Sequence, residues 1–143
     1  MNITKILICT FLISLFLTKN SFSKNSYFLE AQKLFEEKKL LESKFKFEKD
    51  IVFNPKNEKS YLYLAKIFKE QKDDFMQEQN LNTVILLNPK NEEAIYLLAL
   101  LSIKKSDYKK SKNLIKNLKL ICTNFCSKDI ELKKKLKNLE PKQ

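Results

Sequence analysis

Cys122 and Cys126 are the residues whose type and spacing could do chemistry. Two thiols four positions apart have three uses: a structural disulfide, thiol exchange or metal ligation. Ligation fails for want of ligands, because a zinc site needs four and the chain has no His. The third cysteine, Cys9, lies in an apolar stretch near the N-terminus. Redox catalysis prefers Cys-x-x-Cys at a helix start in a thioredoxin-like unit, a different spacing. A regular helix holds sulfurs at i and i+4 awkwardly. A turn through Thr123-Asn124-Phe125 brings the Cα atoms to the roughly 5.5–6 Å that a bridge prefers. A structural disulfide is therefore expected, with a free or exchanging pair as the alternative. No metal and no cofactor are expected.

The remaining composition excludes most enzyme chemistry. Without Gly there is no Gly-rich phosphate loop and no dinucleotide fingerprint, and without His there is no His-based triad. The 17 acidic residues stand among 28 basic ones, and no pair of carboxylates is singled out by spacing. All the basic residues are Lys, so the bidentate fork by which Arg reads bases and phosphates is missing, and nucleic acid is not an expected partner. Abundant Lys and Asn also reflect AT-rich codons, which weakens the net charge of +11 as a pointer to an anionic partner. Few β-branched alternations and scarce turn formers speak against an all-β fold.

Residues 1–23 read as a secretory signal peptide. Lys5 gives a positive start, Ile6 to Leu17 is an apolar run of 12 residues, and Ser21-Phe22-Ser23 puts small residues where a signal peptidase cuts. The run is short for a permanent anchor, which wants about 20 apolar residues. Export to the periplasm is expected, with an uncleaved inner-membrane anchor as the alternative. An oxidising compartment is also where a cysteine pair forms a disulfide.

The elements that position the cysteines come from a repeat. Asn54-Pro55-Lys56-Asn57-Glu58 recurs as Asn88-Pro89-Lys90-Asn91-Glu92, 34 residues on. Within each unit two apolar stripes at helical spacing are separated by a polar break, at 71–74 and 105–107. Tyr61, Leu64, Ala65 and Phe68 form one stripe; Leu81, Val84, Ile85 and Leu87 form the next. The prolines at 55 and 89 push the residues before them out of the α region and so end helices. Helices are expected near 25–37, 40–53, 58–71, 74–87, 92–105, 108–121 and 127–139.

This pattern resembles the tetratricopeptide repeat (TPR) family. Ala31, Ala65 and Ala99 match its small first-helix residue, Tyr61 and Phe68 its aromatic positions, and Pro55 and Pro89 its boundary proline. Ser43, Gln77 and Ser111 stand where the second helix usually has Ala; Glu30 replaces a usual Leu and Thr123 a proline. The resemblance implies an all-α fold, a short right-handed α-solenoid of three hairpins plus a C-terminal capping helix. The expected boundaries are residues 1–23 for the signal peptide, 24–57, 58–91 and 92–125 for the repeats, and 126–143 for the cap and tail. The lysines at 133–135 and 137 give that cap a polar face. The Cys-x-x-x-Cys ending also resembles small exported proteobacterial TPR proteins, although Ser127, Lys128 and Asp129 stand where those carry an acidic pair and Tyr.

In such a solenoid the first helices line a concave groove, and residues one repeat apart form columns. Phe28, Leu62 and Tyr96 make one column, Gln32, Lys66 and Leu100 the next, and Phe35, Lys69 and Ile103 a third. This mix suits a peptide with apolar anchors and an acidic group. The Lys and Asn clamp by which some TPR domains hold a chaperone's terminal carboxylate is absent: its positions carry Phe28, Gln32, Tyr63, Glu93 and Leu97. The expected function is a non-catalytic protein-interaction module of the bacterial envelope. The alternatives are a thiol-redox role for Cys122 and Cys126, or weak association with anionic envelope surfaces.

Overall fold

A computed structural model describes residues 26–139 of the chain. The expected signal segment lies outside them. The described residues form seven α-helices: α1 Ser26–Glu36, α2 Leu40–Phe53, α3 Glu58–Glu70, α4 Asp74–Leu87, α5 Glu92–Lys104, α6 Tyr108–Ile121 and α7 Cys126–Leu139. Each begins and ends within one residue of the position read from the sequence.

The turns inside the hairpins recur with the same period. Lys38, Lys72 and Ser106 take left-handed backbone, with φ of 62°, 59° and 60°. Each sits in a Schellman motif that closes the first helix of its hairpin. The amides of Lys39, Asp73 and Asp107 reach back to the carbonyls of Leu34, Phe68 and Ser102. Gly would take this backbone without steric cost, and the chain has none, so Lys and Ser carry a strain of about 1 kcal/mol each. The next residue then caps the second helix. Asp73 accepts from the Met76 amide and Asp107 from the Lys110 amide, each at 3.0 Å. Lys39, in the same register, makes no side-chain cap.

The described residues divide into two compact units, 26–54 and 55–139. In the first, α1 packs on α2. Ala31 and Phe47 are fully buried, and the Ser43 hydroxyl donates to the Ala31 carbonyl at 2.8 Å. In the second unit α3 pairs with α4 and α5 with α6, α4 packs on α5, and α7 lies against both α5 and α6. Ala65 and Ala99 are fully buried where paired helices meet, as the register of small residues requires. One core joins Leu62, Ala65, Leu81, Val84, Ala94, Leu97 and Leu98. A second joins Ile95, Ala99, Ile103, Ile115 and Leu118 to Leu132 and Leu136 of α7.

Candidate functional site

Each of the three expected columns has one member in the first unit and two in the second. Phe28, Gln32 and Phe35 are half-buried on α1. The Phe28 ring leans on Phe47, with centroids 5.8 Å apart, and the Gln32 amide donates to Glu36 at 3.3 Å. In the second unit Leu62 and Ile103 are core residues, 8% and 5% exposed, and neither lines the cavity described next. Lys66, Tyr96 and Leu100 are half-buried, and Lys69 is exposed.

Two of these residues meet. Lys69 and Leu100 line a cavity of about 230 Å³ on α3, α4 and α5, together with Asp74, Gln77, Leu97, Leu101 and Lys104. Three leucines give it an apolar floor. At its rim Lys104 and Asp74 form an ion pair at 2.6 Å. Nearby on α3, the Lys66 ammonium lies 2.8 Å from Glu93 and 5.0 Å from the Tyr63 ring centre.

Tyr96 is held from the other side by α7. Its hydroxyl donates to Glu131 at 3.2 Å, and Lys128 stands 5.5 Å from its ring centre while pairing with Glu131 at 3.0 Å. Burial, then the Glu131 carboxylate beside it, pushes the Tyr96 phenol above its ordinary range. Lys128 in turn holds the Glu131 carboxyl below its own.

At the end of α6, Cys122 and Cys126 form a disulfide with Cα atoms 5.2 Å apart. The enclosed turn wraps the Glu92 carboxylate from α5. The Thr123 amide and hydroxyl donate to one oxygen, both at 2.7 Å. The amides of Asn124 and Phe125 donate to the other, at 3.0 and 2.7 Å. The Thr123 hydroxyl, followed by the three amides, holds the Glu92 carboxyl down to about 2.

No protein-family model matches the sequence, and no curated protein does. Solved structures do match. The TPR2B domain of yeast Sti1, in complex with pHsp70, superposes with a TM-score of 0.76 at 14% identity, covering 84% of this chain and 100% of that one. The first TPR of Spaghetti (RPAP3), bound to the HSP90 peptide SRMEEVD, gives 0.73 at 18% identity, over 84% and 95% of the two chains. The TPR domain of Sgt2 from Aspergillus fumigatus gives 0.69 at 14% identity, over 86% and 87%. The fold is that of a tetratricopeptide repeat domain.

Within the TPR fold, Ala31, Ala65 and Ala99 take the close-packed position their register assigns, and Ser43, Gln77 and Ser111, where the second helix usually has Ala, are buried as well. The buried Ser111 hydroxyl finds no hydrogen-bond partner among the described residues, where Ala would need none. Sequence reasoning missed three groups. Glu93 neutralises Lys66, and Glu131 and Lys128 reach Tyr96 from a helix read only as a cap. Glu92 was visible only as the end of a repeated pentapeptide. Its signal was Thr123, which offers an amide where the boundary proline has none.

Proposed function

We propose that the chain is a non-catalytic protein-interaction module of the bacterial envelope, binding a peptide or protein segment on the first-helix face of its repeats. The observation that carries this reading is the cavity shared by Lys69 and Leu100, where leucines form the floor and charges of both signs stand at the rim. Such a site takes one apolar anchor of an extended or helical segment and orients its charged neighbours. Two of the similar domains hold ligands from heat-shock proteins. Here Glu93 occupies a clamp position and pairs with Lys66, so an incoming terminal carboxylate would meet another carboxylate. An internal segment suits this face better than a chaperone tail.

Export belongs to the same proposal. The layout of residues 1–23 and a cysteine pair close enough to bond both support it. N-terminal sequencing of the envelope-fraction protein should begin at Lys24; an intact Met1 in membrane-embedded material would favour the anchor. Function is tested by affinity capture from an envelope extract, comparing the native chain with a Lys69→Ala, Leu100→Ser variant of unchanged circular dichroism. Loss of the retained protein supports the face. Equal retention by both chains would overturn it.

A further inference from the structure

A second surface lies between α6 and α7 of the second unit. Lys112, Ile115, Lys116 and Lys119 of α6, with Lys133 and Leu136 of α7, line a notch of about 250 Å³. Its floor is Ile115 and Leu136, and four lysines stand around it. The charge of this end is one-sided: residues 108–139 carry ten lysines against Asp129 and Glu131.

The repeat shows what fills such a notch. Thirty-four residues earlier the same register holds Glu78, Leu81 and Ile85 on α4, with Ala99 and Ser102 on α5. There the occupant is a helix, α6. Leu114 packs on the core that contains Leu81, Ile115 joins Ala99 and Ile85, and Lys110 reaches Glu78 at 2.5 Å. Lys105 also pairs with Glu78. At the outer notch Lys112 takes the glutamate's place and Lys119 and Lys133 take those of Ile85 and Ala99, so the rim turns positive, while Ile115 at the place of Leu81 and Leu136 at that of Ser102 make the apolar floor.

We propose that the α6–α7 notch docks an amphipathic helix of a partner protein, its apolar edge on Ile115 and Leu136 and its flanks carrying Asp or Glu opposite Lys116, Lys119 and Lys133. Helix-in-groove docking supplies the apolar contact, and the lysines select the sign of the flanks. Lys133 already pairs with Asp129 at 2.6 Å, which makes Lys116 and Lys119 the principal selectors. The N-terminal segment fits poorly as the occupant, because residues 1–25 hold no acidic residue to meet the lysines.

The test uses a synthetic amphipathic helical peptide with a leucine edge and glutamate flanks, followed by fluorescence anisotropy on the full chain. Two control peptides carry lysine flanks or the same residues in scrambled order. The expected result is binding of the acidic amphipathic peptide alone, weakened about tenfold by Lys116→Glu with Lys119→Glu at an unchanged melting temperature. Absence of binding, or equal binding of the scrambled peptide, would overturn the proposal. So would a lysine-dependent dimer in sedimentation, which makes a second copy the occupant. Tighter lysine-dependent binding to phosphatidylglycerol vesicles than to the peptide would overturn it in favour of a lipid surface.

Discussion

At the end of α4, Asn88-Pro89-Lys90-Asn91 carries the chain into α5; at the end of α6, Cys122-Thr123-Asn124-Phe125 carries it into α7. The two junctions are 34 residues apart and occupy the same place in successive repeats, yet different forces hold them. Pro89 fixes its own φ and offers no amide, so stiffness there is local. Asn88 accepts from the Lys90 amide at 3.1 Å, Asn91 caps α5 through the Ala94 amide at 2.9 Å, and Glu58 receives one long bond of 3.4 Å from Asn88. At the second junction Thr123 frees an amide and adds a hydroxyl, and Glu92 collects four donors. The disulfide closes the same turn. A junction inside the stack is steadied by helices on either side. The last described helix packs on α5 and α6, and at its start cross-links take the place of a stiff residue.

If α7 depends on that anchorage, its core contact is the place of largest effect. Leu132 is fully buried in the second core, and Leu132→Ala should cost about 2–5 kcal/mol. A thermal melt reads this directly, and a change below about 1 kcal/mol would show that α7 is not part of the cooperative unit. Loss of the disulfide comes next. The loop it closes is very short, so a Cys122→Ser, Cys126→Ser variant should lose about 2 kcal/mol or less. Amide exchange at residues 123–125 should quicken while residues 88–91 stay unchanged; equal exchange at both would break the contrast. The first junction has its own weak point. Asn91→Ala removes a helix cap and should cost about 1 kcal/mol, measured by urea denaturation.

The two junctions also show what the chain discloses in one dimension. Helix ends were legible because Pro55, Pro89 and the polar breaks punctuate a strict 34-residue period, and Ala31, Ala65 and Ala99 mark the close crossings. The disulfide was legible as a short spacing spanning a turn. Contacts between helices were not. That Leu62 and Ile103 are core while Lys69 and Leu100 share a cavity depends on how far each helix is rotated, which a column of residues one repeat apart leaves open. Glu131 on Tyr96 joins residues 35 apart, and nothing in either residue's neighbourhood announces the other. Left-handed backbone at Lys38, Lys72 and Ser106 was hidden for a different reason: the residue that signals it, Gly, does not occur.

The smallest effect, and the sharpest on the contrast, concerns the Glu92 carboxyl. In the folded chain it titrates at about 2, below its ordinary 4.5, because the Thr123 hydroxyl and three amides bind the charged form more strongly than the neutral one. A carboxyl lowered on folding adds stability above its unfolded value, and that stability is lost as the pH falls through the folded value. The native chain should therefore weaken between about pH 4.5 and about pH 2. Glu92→Gln lacks the charge throughout, so the gap between the two urea midpoints should be widest near neutrality and close by about pH 2. Glu92 sits at the surface, where solvent screens the charge, so the gap should be small. Thr123→Pro carries the comparison further by placing the first junction's residue in the second. It removes the hydroxyl and one amide together, and the Glu92 carboxyl, followed by its carbon chemical shift, should titrate nearer its ordinary value. A Glu92 titration unmoved by proline would mean that the turn does not set it, and that the two junctions differ only in their disulfide.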